Sequence, residues 1–371
     1  MVTRTRRVKR NKLLSQIGRG RKKTQDGAGA CLSASPGKER EKQRFQWIGG
    51  VVLGLMIMLL GTGCPSVPVS IESVPWKNPI IRDIYSADPA AMVHGDTLYL
   101  YVGHDEAPSG GTTYVMNDWY CYSTTDMIHW TNHGPVLSVK DFHWADGNAW
   151  AAQVVERNGK FYYYVSIAQA STGGMAIGVA VADSPTGPFR DALGKALITS
   201  NMTRYSGQPR WSWDDIDPTV LIDDDGQAYL YFGNTYPKYV KLNEDMISFD
   251  ETVGIQKLLL PFVAGLPFTE ALWIHKYNGK YYLSWAAGWE EQLVYATSDS
   301  PTGPWKPGGK LMNHAENCNT SHQAIVEFKG KWYIFYHNGT LPGGGSYRRS
   351  VCVDYLTYDK EGNIPLIVPT R

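Results

Sequence analysis

Three carboxylates begin apolar, aromatic-rich stretches of the chain: Asp88 in SADPAAMVHG, Asp217 in DIDPTVLIDDDG and Glu270 in FTEALWIHKYNG. Each lies seven to nine residues before a turn glycine (Gly95, Gly226, Gly279), and the same count back from Gly159 and Gly330 reaches Trp150 and the pair Ser321 and His322. An acid that opens an apolar strand is a poor choice for stability, because a crowded, desolvated setting raises its pKa and that of its neighbours. One such acid is commonly a strand cap or an ion-pair partner. Three of them, with an aromatic residue and a histidine in the other two places, point to function. Carboxyls converging on one pocket lined by Trp rings suit glycosidic bond hydrolysis: one donates a proton to the leaving oxygen, and a second, ionised, activates water or attacks the anomeric carbon. A third can set the donor's pKa through its charge. Trp150 and Trp144 are the rings expected to pack on sugars. Asp223, Asp224 and Asp225 sit in the turn itself, where acids favour tight turns and solvent, and are read as structural.

What must position these acids is a repeat. A turn followed by a Tyr-rich strand recurs as VHGDTLYLYVG, ERNGKFYYYVS, DDDGQAYLYFG, KYNGKYYLSWA and EFKGKWYIFYH, with the turn glycines 64, 67, 53 and 51 residues apart. Each unit holds a hairpin signal between an apolar run and alternating aromatics. A further strand follows, and in two units it ends in nearly the same words, DSPTGPF (Asp183 to Phe189) and DSPTGPW (Asp299 to Trp305). Sheet units of this period, without amphipathic helices between them, predict an all-β, five-bladed β-propeller over residues 78–371. A β-sandwich is the alternative, but it has no reason to repeat at this period. In a propeller the innermost strands line the channel, so the strand-opening acids converge.

The net charge of +1 hides an asymmetry: residues 1–46 carry 14 Lys and Arg against three acids, and the rest 22 against 32. An apolar run of 13 residues, Ile48 to Leu60, follows. It is shorter than the roughly 20 residues that span a bilayer and fits the central region of a signal peptide. LLGTGC resembles a bacterial lipobox with Cys64 as the lipidated residue, although Gly61 stands where the pattern has Leu. Residues 1–63 are therefore read as a basic region plus signal peptide or membrane anchor. The long basic part leaves open a misassigned start codon or a retained cytoplasmic anchor; a nucleic-acid-binding arm is disfavoured. Residues 64–77 are read as a Pro- and Ser-containing linker. The expected location is exported, as an envelope lipoprotein or secreted. Cys121, Cys318 and Cys352 remain in the body, with no zinc-type spacing; Cys318 with Cys352 is the one disulfide considered.

At the acids the chain resembles glycoside hydrolase family 43, five-bladed propellers acting on arabinose- and xylose-containing polysaccharides. ADPAAMVHGDTLYLY, DIDPTVLIDDDGQAYLYFG and FTEALWIHKYNGKYYLSWAAG carry the likeness, over about Asn78 to Pro365. The resemblance implies Asp88 as base, Asp217 as pKa modulator, Glu270 as proton donor, and an inverting mechanism. It also implies a channel histidine, His322, at a place where many members hold calcium or water, and an arginine, Arg349, that reaches substrate. No cofactor is required on this reading; a structural calcium is an open possibility. Glu270 departs from the family in preceding Ala-Leu-Trp where many relatives have Gly-Pro-Trp. With no further carbohydrate-binding domain expected, polymer targeting falls to the propeller face or the anchor.

α-L-Arabinofuranosidase on arabinoxylan or arabinan leads, with β-xylosidase next. A fructan-cleaving propeller is disfavoured, since Ile216 precedes Asp217 and Ala271 follows Glu270. A non-catalytic sugar-binding propeller at the envelope is the reading from another class. Linkage position and endo or exo preference are not legible from these residues.

Overall fold

The structure, a computed structural model, describes residues 74–203 and 213–371. Cys64, the basic region, the apolar run and most of the linker lie outside the described residues. Among those described, the chain forms twenty strands and one short helical turn. The first blade is β1 (Ser86–His94), β2 (Thr97–His104), β3 (Asp118–Thr124) and β4 (Thr131–Ser138). The second is β5 (Ala145–Gly147), β6 (Ala152–Arg157), β7 (Lys160–Gln169), β8 (Met175–Ala182) and β9 (Arg190–Asp191), with β5 and β6 sharing one edge of β7. The third is β10 (Thr219–Ile222), β11 (Ala228–Phe232), β12 (Lys238–Leu242) and β13 (Gln256–Lys257). The fourth is β14 (Phe268–Tyr277), β15 (Lys280–Ala287), β16 (Gln292–Ser298) and β17 (Lys306–Met312), and the fifth is β18 (Gln323–Phe328), β19 (Lys331–Asn338) and β20 (Ser350–Leu356).

Strands within each blade pair antiparallel in chain order, and the inner strands close a ring: β1 packs on β6 and β18, and β10 and β14 complete the circuit. The turn residues explain the hairpins. Asn158–Gly159, Asn278–Gly279 and Lys329–Gly330 all have positive φ at both positions, as a two-residue turn matched to strand twist requires. The third hairpin is longer, and its acids tie it to the next blade: Asp223 accepts from Lys276 Nζ at 2.9 Å and Tyr281 Oη at 2.6 Å. That matches the structural role read from the turn. The two DSPTGP turns bury Phe189 and Trp305. Each also accepts a tyrosine from the preceding blade, Tyr101 Oη to Pro185 O (2.6 Å) and Tyr231 Oη to Pro301 O (2.7 Å).

The fifth blade has three strands of its own, and residues 76–80 line its outer edge. Trp76 Nε1 and Asn78 Nδ2 donate to Val353 O, and Ile80 N donates to Val351 O on β20. Trp76 is buried in the core, so the body begins inside the segment read as linker, ahead of residue 78. Cys121, Cys318 and Cys352 are buried and free. The disulfide considered for Cys318 and Cys352 is not formed: Cys352 Sγ faces Ser350 O within β20, while Cys318 Sγ faces Thr320.

Candidate active site

The Asp-Pro pairs mark bulges at the axis. In β1 the register slips between Ala87 and Ala90, leaving Asp88 and Pro89 out of the ladder. A proline there removes no ladder hydrogen bond. Asp88 and Asp217 both adopt left-handed backbone, with φ of 50° and 58°, a conformation uncommon outside glycine. In the fourth blade the matching left-handed residue is Ala271 at 59°. Each bulge turns an N–H onto the neighbouring blade: Asp88 N to His337 Nδ1 (3.2 Å), Asp217 N to Ser166 Oγ (2.8 Å), and Ala271 N to Asp217 Oδ2 (2.7 Å). Glu270 therefore stands one residue ahead of the bulge position held by Asp88 and Asp217. The sequence repeat places the three acids together but not at one equivalent site.

All three open into a pocket of about 810 Å³, which Trp150, His322, Arg349 and Glu291 also line. Trp150 sits in the break between β5 and β6, its N–H on Ser166 O. Trp144 is not among the lining residues. Its indole Nε1 donates to Asp191 Oδ2 at 2.9 Å and its ring packs against Phe142, which corrects the expectation that it meets sugar. Arg349, expected to reach substrate, is buried and commits its guanidinium to acids. Nε and one terminal nitrogen hold Asp105 at 2.8 and 2.9 Å, and the other holds Asp88 Oδ1 at 2.9 Å.

These contacts separate the acids. Burial alone would raise the Asp88 pKa, but Arg349, with His337 and His322 adding to it, holds the carboxyl well below the usual range. Among the described residues Asp217 has no ion-pair partner: burial, then the charges of Glu270 and Asp88, push it well up. Burial also raises Glu270, opposed by the Asn234 Nδ2 hydrogen bond to its Oε2 at 2.6 Å. His322 is pushed down to about 4 by burial, so it is a neutral imidazole at pH 7. Calcium takes six to eight oxygen ligands. Beside His322 the nearby carboxylate is Asp88, 3.8 Å away and already held by Arg349. That donor set does not make a protein cage for calcium; an ion there would keep mostly water.

The residues that sequence reasoning missed share one origin. Asp105, Asn234 and His337 lie at or just past the C-terminal ends of β2, β11 and β19, and Glu291 lies in the turn between β15 and β16. The signal was present in LYVGHD, YLYFGN and IFYHN. Polar residues closing Tyr-rich strands reach the same end of the ring as acids opening the antiparallel partner strands.

A carboxyl held toward its ionised form and one whose pKa burial raises, facing a single pocket, can together deliver a base and an acid to one bond. The sequence model for glycosyl hydrolases family 43 matches residues 76–364. The xylosidase/arabinosidase 43A of Humicola insolens is 35% identical over 336 residues, covering 77% of this chain and 98% of the relative. Among solved structures, a family 43 β-xylosidase/α-arabinofuranosidase from a compost microbial metagenome, in complex with xylotriose, superposes with a TM-score of 0.67 at 33% identity, covering 78% of this chain and 97% of that one. An α-L-arabinofuranosidase of Clostridium thermocellum gives 0.64 at 38% identity, with 79% and 96% covered.

Proposed function

Since the chain belongs to glycosyl hydrolases family 43 and is a glycoside hydrolase, we propose that it releases terminal α-L-arabinofuranosyl units from arabinoxylan or arabinan by single displacement with inversion. The observation that carries the displacement chemistry is the opposed setting of two pocket carboxyls, Asp88 beside Arg349 and Glu270 with no ion-pair partner among the described residues. Asp88 is the base: it takes a proton from water as the water oxygen bonds to the anomeric carbon. Glu270 is the acid: its proton goes to the glycosidic oxygen as that carbon–oxygen bond breaks. One water is consumed, and the two carboxyls exchange a proton with solvent to reset. An inverting pair needs room for that water, about 6.5–9.5 Å between carboxyls. Asp217 modulates: it accepts the Ala271 N–H directly after Glu270 at 2.7 Å, and so fixes the backbone that carries the donor.

β-Xylosidase activity is the second reading, favoured by the xylotriose complex of the similar metagenomic enzyme and by the dual name of the Humicola insolens relative. Kinetics on aryl α-L-arabinofuranoside and aryl β-D-xyloside separate the two. Proton NMR of arabinoxylan digests identifies the sugar freed and its first anomeric form. Inertness on both aryl glycosides and on the polymers overturns the pentosidase reading. We also propose export with anchoring through Cys64; Cys64→Ser then moves the protein from the membrane fraction to the soluble one, and an unchanged distribution overturns the anchor.

A further inference from the structure

The pocket holds a fourth carboxyl that the mechanism above does not use. Glu291 is 2% exposed and lines the same cavity as Asp88, Asp217 and Glu270. The fifth blade grips it from behind. Its Oε2 accepts Ser321 N–H at 2.8 Å, its carbonyl accepts Ser321 Oγ at 3.3 Å, and its own N–H donates to Asn319 O at 3.2 Å. Among the described residues the other carboxyl oxygen, Oε1, has no hydrogen-bond partner, nor is it among the side-chain atoms sealed from solvent. One oxygen is thus anchored, and the other is left to the cavity.

No cation pairs with Glu291 among the ion pairs of the described residues, whereas Asp88 has Arg349 at 2.9 Å. Burial, then the nearby charge of Glu270, pushes its pKa well above the usual carboxylate range. A buried carboxyl with no cation keeps its proton, and a neutral carboxyl is a hydrogen-bond donor as well as an acceptor. Sugars present hydroxyls that can serve either role. We propose that Glu291 binds a hydroxyl of the pentose held beside Glu270, its Oε2 fixed by Ser321 and its Oε1 edge turned to the sugar, making it a specificity-determining residue. This rests on the pentosidase reading for the identity of the sugar.

The test compares Glu291→Leu, Glu291→Gln and Glu291→Asp in the full chain, on whichever aryl pentoside the wild type cleaves and on its singly deoxygenated analogues. Thermal unfolding reports whether each variant folds. Loss of a buried hydrogen bond predicts that kcat/KM for the Leu variant falls about 10- to 100-fold on the parent pentoside. The Gln variant, which keeps an acceptor for Ser321 and a donor for the sugar, recovers most of that loss. For one deoxy analogue the wild type and the Leu variant become equal within about twofold, because the hydroxyl and its partner form one interaction. An equal loss on every analogue, or a Leu variant as active as wild type, overturns the assignment. If Leu does not fold, Asp, which withdraws the acid by one methylene, takes its place in the same comparison. If the wild type cleaves no pentoside, the enzyme reading fails separately. Calorimetry with L-arabinose and D-xylose then decides for Glu291: weaker binding in the variants supports the role, and unchanged or undetectable binding overturns it.

Discussion

The two sides of the pocket use the same kind of side chain to opposite ends. On the side built by the first and fifth blades, Asp88 meets Arg349, which Asp105 in turn holds by three hydrogen bonds, two of them to the guanidinium. On the side built by the third and fourth, Asp217, Glu270 and Glu291 meet amide groups and one another: the Ala271 N–H, the Asn234 side chain, the Ser321 N–H. Asp88, Asp217 and Glu291 are buried, and Glu270 is half-buried. What differs is the cationic company: Arg349, with His337 and His322 adding to it, pulls the Asp88 pKa down, while burial raises those of Asp217, Glu270 and Glu291, because a nearby opposite charge favours the charged form while burial and like charges oppose it. Base and acid are therefore assigned by what lies behind each group more than by the acids themselves.

The sharpest way to break that comparison is to remove the groups it contrasts. Asp88→Asn and Glu270→Gln each lower kcat by about 10²- to 10⁴-fold, the usual contribution of a positioned acid or base. The two losses differ in kind. With Glu270→Gln the loss shrinks on aryl glycosides whose leaving groups need little protonation and stays full on oligosaccharides; with Asp88→Asn it is the same on both. Identical leaving-group dependence in the two variants would contradict the assignment.

Removing the guanidinium is next in size. Arg349→Leu strands Asp88 and Asp105, and breaking a buried ion pair in this way destabilises by about 3–5 kcal/mol. Arg349→Lys keeps a charge but loses the two-pronged hold on Asp105, and is the variant in which kinetics are read. With weaker stabilisation of its carboxylate, the Asp88 pKa rises, so the acid limb of kcat/KM moves to higher pH. An unmoved limb means that Arg349 does not set the base.

How much of this was legible in the sequence follows from where each residue sits. The blades were readable because turn chemistry and aromatic alternation are local, and each repeat announces them again. The acids Asp88, Asp217 and Glu270 were readable because an acid before an apolar strand conflicts with burial. Arg349 drew notice, but not its task, since its partners Asp88 and Asp105 lie 261 and 244 residues away. Trp144 and Trp150 look alike along the chain, and packing alone separates them: Trp144 fills a space bounded by Phe142, Val165 and Gly178 inside the second blade. Glu291 conflicts with nothing local, because it sits in a turn, where acids are common; only the closing of the ring buries it.

A smaller effect tests the same contrast through stability, and its sign is opposite on the two sides. The folded-state pKa of Asp88 is depressed, so its stabilisation is present above the unfolded carboxylate value and is lost as pH falls through the folded one. Asp88→Asn therefore lowers Tm at pH 7. The folded-state pKa values of Asp217 and Glu291 are raised, so the folded state holds protons that the unfolded chain releases. Stability then declines as pH rises from about 4, the unfolded value, through the raised ones. An amide escapes that decline. Asp217→Asn and Glu291→Gln should each raise Tm at pH 7 by roughly 2–4 °C, about 1 kcal/mol for a domain of this size, and by nothing at pH 4. A fall in Tm for both would mean that these acids are ionised in the folded protein.

The finest probe leaves every carboxyl in place. Asn234 donates to Glu270 Oε2 at 2.6 Å and is the one group on the acid side that strongly favours its charged form. Removing that donor by Asn234→Ala withdraws support from the carboxylate, so the Glu270 pKa rises further and the basic limb of kcat/KM moves to higher pH. A hydrogen bond to a charged group is worth about 1.5–3 kcal/mol at most. At 1.36 kcal/mol per pKa unit, part of that bond appears as a displacement on the order of one pH unit. The acid limb, governed by Asp88 and Arg349 across the pocket, should stay where it is. Movement of the basic limb alone ties that limb to Glu270; a shift of both limbs together would mean that the two sides titrate as one unit and that the division between them is not functional.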